Sequence, residues 1–130
     1  MYNLIIKNEM EEKKMKNFKI EQVADQRWFY NYEKKNERGE SLVIEVCKVE
    51  CDFKDKNSIP SLWYKHGWIK KKFASYWSLS TYVEDGKGNC LGVCNPQHTK
   101  GQIDFDWILE ATDENKEKLL KEVVKQFNKR

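Results

Sequence analysis

Thr112-Asp113-Glu114-Asn115-Lys116-Glu117-Lys118-Leu119-Leu120-Lys121-Glu122-Val123-Val124-Lys125-Gln126-Phe127 carries the plainest periodicity in the chain. Leu119, Leu120, Val123, Val124 and Phe127 recur at i, i+4 and i+8 spacing, which gathers them into one apolar stripe on a helix. Thr112 can cap that helix with its hydroxyl, and Asp113 and Glu114 suit its positive end. Lys116, Lys118, Lys121 and Lys125 fall mostly on the remaining face. A helix with one apolar stripe needs a surface to cover, and strands earlier in the chain supply it.

Those strands read as follows. Phe18, Ile20 and then Val23 alternate with polar neighbours over 16–23, a short strand. Residues 27–33 are rich in aromatics, which favours strand. A polar turn with one glycine, Gly39, leads into 42–51, where Ile44, Val46 and Lys48 alternate with Glu45, Cys47, Val49 and Cys51; the two runs make a hairpin. Residues 76–84 are strand-like. Asp85-Gly86-Lys87-Gly88-Asn89 is the best turn, because its glycines take positive φ cheaply. Residues 90–94 return as its second arm. Residues 103–109 alternate strictly at first and read as a further strand. Residues 61–73 hold a short helix or a structured loop. The expected fold is therefore α+β, a mostly antiparallel sheet of four to six strands with a C-terminal helix packed across one face. It occupies one domain over 16–130, preceded by a charged leader over 1–15. Met15 is an alternative start to Met1.

With 24 Lys and Arg against 21 Asp and Glu, the net charge is +3, although 35% of the residues are charged. A duplex-DNA binder would be more basic and a DNA mimic strongly acidic, so any electrostatic role belongs to local patches. Arg27, Arg38 and Arg130 are the only arginines. Lysine lacks the planar fork that bidentate phosphate or guanine recognition favours. There is no apolar run near the 18 or so residues that a membrane span needs. The expectation is a cytoplasmic protein without membrane contact, with its cysteines as thiols.

Trp63-Tyr64-Lys65-His66-Gly67-Trp68-Ile69-Lys70-Lys71-Lys72-Phe73-Ala74-Ser75-Tyr76-Trp77 sets three of the five tryptophans beside four lysines and a histidine. Rings and cations together suit contact with a large anionic or protein partner. The same composition also serves a core whose lysines snorkel outward. The segment reads as a mixture, with Trp77 inside and Trp63, Tyr64 or Trp68 partly outside. Trp63, Tyr64, His66, Trp68, Lys70, Lys71, Lys72 and Tyr76 are the candidate partner-binding residues. Gly67 before Trp68 marks a loop or bend, where a large ring has less chance of full burial. Lysines 70–72 run consecutively, so at least one must leave the core on any helix or strand.

No catalytic residues and no cofactor are expected. Cys47-x3-Cys51 and Cys90-x3-Cys94 look like matched pairs, but four residues of strand span about 13 Å, too far for one zinc ion unless a turn intervenes. They read as ordinary thiols rather than metal ligands or a redox disulfide. Asp104 and Asp106 share one face of the expected strand at roughly 6–7 Å, which suits a divalent cation or a solvated face. A metal-dependent enzyme built on them is the weakest of the readings. His66 and His98 lack a recognisable nucleophile and orienting acid. Gly86-Lys87-Gly88 lacks the strand–loop–helix setting of a phosphate loop.

Ser80-Thr81-Tyr82-Val83, Gly88-Asn89-Cys90-Leu91-Gly92, Asn95-Pro96-Gln97, Ile103-Asp104-Phe105-Asp106-Trp107 and 110–119 resemble small uncharacterised proteins of phages and mobile elements of low-GC Gram-positive bacteria. The likeness covers roughly the C-terminal half, together with 63–68, and departs at Cys94. It implies no catalytic residues. It implies a genomic setting in which small proteins bind and block host machinery, CRISPR nucleases among them. The leading expectation is thus a non-catalytic inhibitor whose partner is a host protein or ribonucleoprotein. The alternative is a single-stranded nucleic-acid binder that stacks bases on Trp63, Trp68 and Tyr76 and meets phosphates with Lys70, Lys71 and Lys72.

Overall fold

In the computed structural model, which describes residues 17–130, strands β1 (Phe18–Ala24), β2 (Arg27–Tyr32), β3 (Ser41–Glu50), β4 (Ser75–Glu84) and β5 (Cys90–Leu91) form one sheet in the order β1-β2-β3-β4-β5. Each pairs antiparallel with the next. Helix α1 (Ile59–Lys65) lies in the β3–β4 connection, and helix α2 (Asp113–Asn128) closes the chain. A second two-stranded sheet joins β6 (His98–Thr99) to β7 (Gln102–Ile103). The fold is α+β. The expected leader over 1–15, both candidate starts and the first residue of the expected domain lie outside the described residues. No described helix is long and apolar enough to cross a membrane.

The C-terminal periodicity is realised as read. Thr112 caps α2, its Oγ1 accepting from Asn115 N at 3.2 Å. Leu119, Val123 and Phe127 lose all solvent contact against Tyr30, Leu42, Ile44, Val46, Trp77, Leu79 and Val83. Cross-strand partners point to the same face. The alternation of β4 therefore sends Trp77, Leu79, Thr81 and Val83 toward α2, and Tyr76, Ser78, Ser80 and Tyr82 to the other face.

One lysine of α2 departs from its expected place. Lys116 is buried, with Nζ 5.8 Å from the Trp28 ring, 5.7 Å from Tyr30 and 5.3 Å from Trp77. Its ammonium is stabilised by three π faces and by Asp113 at 3.9 Å. The stripe signals this in hindsight, because Lys116 precedes Leu120 by one helical turn.

The chain after the best turn also departs from expectation. The return arm expected over 90–94 stops at Leu91, and of the strand expected over 103–109 only Ile103 lies in a strand, at the end of β7, before a 3-10 turn, Phe105–Trp107. Side chains take over the hydrogen bonds that a longer β5 would make with β4. Gln97, 2% exposed, accepts from Leu79 N at 2.8 Å and donates Nε2 to Trp77 O at 2.6 Å and Trp107 O at 3.2 Å. Asn95 donates to Leu79 O at 2.8 Å, and Thr81 Oγ1 donates to Val93 O. Amide side chains offer both donor and acceptor, so two of them satisfy a strand edge without a strand. That chemistry leaves no periodic trace in sequence.

Candidate partner-binding site

The β3–β4 connection folds into a small lobe over the end of the sheet face that α2 does not cover. Its own core is Trp63, Ile69 and Phe73, packed with Cys51, Phe53, Tyr76, Phe105 and Ile108. Helix α1 begins where Ser58 Oγ accepts from Ser61 N, with Pro60 in the first turn, where no helical N–H is needed. It ends at Gly67, whose φ of 74° is left-handed. Gly67 N donates to Tyr64 O at 3.1 Å and Trp68 N to Trp63 O at 2.9 Å, a Schellman closure. This closure carries the chain back past the helix end and presents Trp68.

Trp63 and Trp68 have opposite fates. Trp63, expected partly outside, is 8% exposed, with ring centroids 5.5 Å from both Tyr76 and Phe105. It faces inward from α1, and the wall it meets comes from β4 and from a turn some forty residues on. Trp68 is 51% exposed. His66 stacks on it at 4.7 Å and 22°, and Phe105 at 5.3 Å and 29°. Two near-parallel rings hold the indole in one orientation and leave much of its surface in water. Tyr64 is exposed beside Phe53, and Tyr76 is half-buried. Burial pushes the Tyr76 hydroxyl above its ordinary pKa.

Lys70, Lys71 and Lys72 all reach solvent between buried Ile69 and Phe73. Lys71 meets Glu110 at 3.3 Å, tying the lobe to the segment before α2. Lys72 lies 5.2 Å from the Tyr64 ring and 5.9 Å from Phe53, beside an open groove floored by Cys51 and Phe73. Lys65 and Lys70 are exposed as well. Ile59, Leu62, Tyr64 and Trp68 make up four of the seven exposed large apolar side chains among the described residues. The lobe thus carries exposed apolar side chains and exposed cations within one stretch of chain.

The remaining candidates are dispersed. Asp104 and Asp106 do not share a strand face. Asp104 caps the 3-10 turn, and its Oδ1 accepts from Asp106 N at 3.1 Å. Cys47 sits on the uncovered sheet face, Cys51 in the lobe, Cys90 at the β5 edge and Cys94 against the main core. All four are free thiols, and burial raises the pKa of Cys47, Cys51 and Cys94, which disfavours thiolate chemistry there. Among the described residues no three His, Cys, Asp or Glu side chains gather as a metal site.

Sequence reasoning missed Phe105, which supports both tryptophans, because the alternation over 103–109 reads as a further strand of the sheet. It also missed Glu45. This carboxylate is 8% exposed on the uncovered face, paired with Arg27 and accepting from Tyr82 Oη at 3.4 Å. Phe29 stands opposite Glu45 in the register, and Arg27 opposite Cys47. No protein-family model, no curated protein and no solved structure matches this chain.

Proposed function

We propose that the chain is a non-catalytic binding protein of phage or mobile-element origin. It blocks a host protein or ribonucleoprotein by steric occlusion, with a defence nuclease such as a CRISPR effector as the target class. The α1 lobe makes the central contact. The observation that carries this reading is the concentration of exposed Ile59, Leu62, Tyr64 and Trp68 within ten residues, rimmed by Lys65, Lys70, Lys71 and Lys72. Exposed large apolar side chains set among charges in one small lobe are the materials that macromolecular interfaces use. A tryptophan held by flanking rings is ordered before binding, so less entropy is lost when it docks.

The geometry favours a protein surface over a single nucleic-acid strand. Base stacking needs free π faces. Trp63 is buried, Tyr76 is half-buried behind it, and the Trp68 indole already has two stacked partners. An apolar protein surface with acidic residues at its margin meets the exposed side of Trp68 and the lysines without displacing a ring.

Affinity capture from host lysate with wild type and with Trp68→Ala/Lys71→Ala tests the reading. Wild type retains one protein or ribonucleoprotein, and the double variant, still folded, loses it. Equal retention by both overturns the assignment of the lobe. Turnover of a substrate by the purified protein alone overturns the non-catalytic reading. A reconstituted target cleaves normally with the double variant and is inhibited stoichiometrically by wild type.

A further inference from the structure

The two edges of the main sheet differ. At one end β5 is two residues long, Asn95 and Gln97 occupy the neighbouring backbone groups of β4, and Thr81 Oγ1 of β4 donates to Val93 O. At the other end β1 runs seven residues with β2 on one side and no described strand on the other. Asn17 O accepts from Glu33 N at 2.7 Å, so the carbonyl of Asn17 points toward the β2 side. Backbone direction alternates along an antiparallel strand. Lys19 and Glu21 therefore direct their N–H and C=O groups to β2, while Phe18, Ile20 and Gln22 direct theirs to the open side.

We propose that this edge pairs with the same edge of a second copy, antiparallel about a two-fold axis at Ile20, to give a dimer with one continuous sheet. Three observations agree on that register. The regular part of β1 runs from Phe18 to Gln22, before the bulge between Gln22 and Ala24, and Ile20 is its centre. Ile20 is an outward-directed position, so at the axis it exchanges two hydrogen bonds with its own copy, while Phe18 exchanges bonds with Gln22 of the other copy. The charges then match: Lys19 lies opposite Glu21 of the other copy, and Glu21 opposite Lys19. Both side chains are exposed on the same face. They fall at the non-hydrogen-bonded pairs, where side chains approach most closely. On the opposite face, half-buried Ile20 meets its own copy and half-buried Phe18 lies diagonal to Ile20 of the other copy, which extends the main core across the axis.

A charged edge strand ordinarily deters pairing. Lys19 and Glu21 deter strangers yet suit each other when inverted by a two-fold axis, the isologous arrangement of most homodimers. The inference is independent of the α1 lobe, since none of its residues belongs to that site.

Sedimentation or light scattering across a concentration series tests it with the whole protein. Wild type dimerises, less so as salt rises. Lys19→Glu and, separately, Glu21→Lys each place like charges opposite one another twice and weaken the dimer by about tenfold or more. Lys19→Glu/Glu21→Lys restores it, because the exchanged charges match again. A wild type that stays monomeric throughout overturns the proposal. So does a dimer that both single variants leave intact, or one that the exchanged double variant fails to restore.

Discussion

On one face of the sheet, α2 seats Leu119, Val123 and Phe127 with no exposed surface, while on the other the α1 lobe buries Trp63, Ile69 and Phe73 and leaves Trp68 51% exposed. Both regions are built from large apolar side chains, so composition does not separate them. The covering element does. Helix α2 has sixteen residues and an apolar stripe that meets three central strands. Helix α1 has seven and buries one residue of its own. A helix of two turns cannot cover every ring its loop carries, and the surplus becomes surface. Such surplus is a cost in solution and an asset once a partner covers it. Lysines follow the same division: Lys116 is caged by rings under α2, whereas Lys70, Lys71 and Lys72 stay in water around the lobe.

The largest expected effect lies under α2. Phe127→Ala removes a wholly buried ring that meets Tyr32 edge-on at 6.0 Å, and it costs about 3–5 kcal/mol of global stability in denaturant titration. A loss under about 0.5 kcal/mol, the range of ordinary surface sites, would place that face on a par with the lobe rim.

Next is the reverse effect in the lobe. Trp68→Ala/Lys71→Ala weakens partner binding by about 2 kcal/mol or more while leaving the fold intact. Thermal stability and affinity are measured on the same preparation. Unfolding or aggregation of the double variant would make Trp68 a structural residue and dissolve the contrast between the regions.

A smaller effect separates the two kinds of lysine. Lys116→Met keeps the stem and loses the ammonium among Trp28, Tyr30 and Trp77, so stability falls by about 1–2 kcal/mol. Lys70→Met, at an exposed site, changes it by less than about 0.5 kcal/mol. Equal melting temperatures for the two variants would count against the cage as a source of stability.

The last concerns pH. Glu40 accepts from Arg130 Nε at 3.0 Å and Nη2 at 3.1 Å, and from Asn36 Nδ2 at 2.8 Å. These partners, Arg130 foremost, hold its carboxyl at about 2 rather than the ordinary 4.5. A lowered carboxylate pKa stabilises the fold fully above the ordinary value, and the contribution is lost as pH falls toward the folded one. Glu40→Gln is therefore less stable than wild type at neutral pH, and the gap closes as pH drops from about 4.5 to about 2. A gap that stays constant through that window would remove the ion pair from the forces that hold the end of α2 to the β2–β3 connection.

Helix α2 was legible because its cap, acidic first turn and stripe all lie within one short stretch and agree with one another. The β2–β3 hairpin and the turn over 85–89 were legible for the same reason. The exposure of Trp68 was legible from Gly67 before it, whereas the burial of Trp63 was not, because its wall comes from Tyr76 and Phe105, far along the chain. Asp104 and Asp106 misled because alternation over a few residues does not distinguish a strand from a capped 3-10 turn.

What the sequence determined by itself was local: the α+β class, the main strand and helix periods, the bend at Gly67 and the shortage of arginine. Tertiary structure decided every pairing between distant segments. It set Phe105 against both Trp63 and Trp68, Gln97 against the β4 edge, Arg27 beside Glu45, and Lys116 among rings from β2 and β4. The physical reason is range. Propensity, capping and periodicity act within a few residues, whereas burial depends on which surfaces the packed elements bring together.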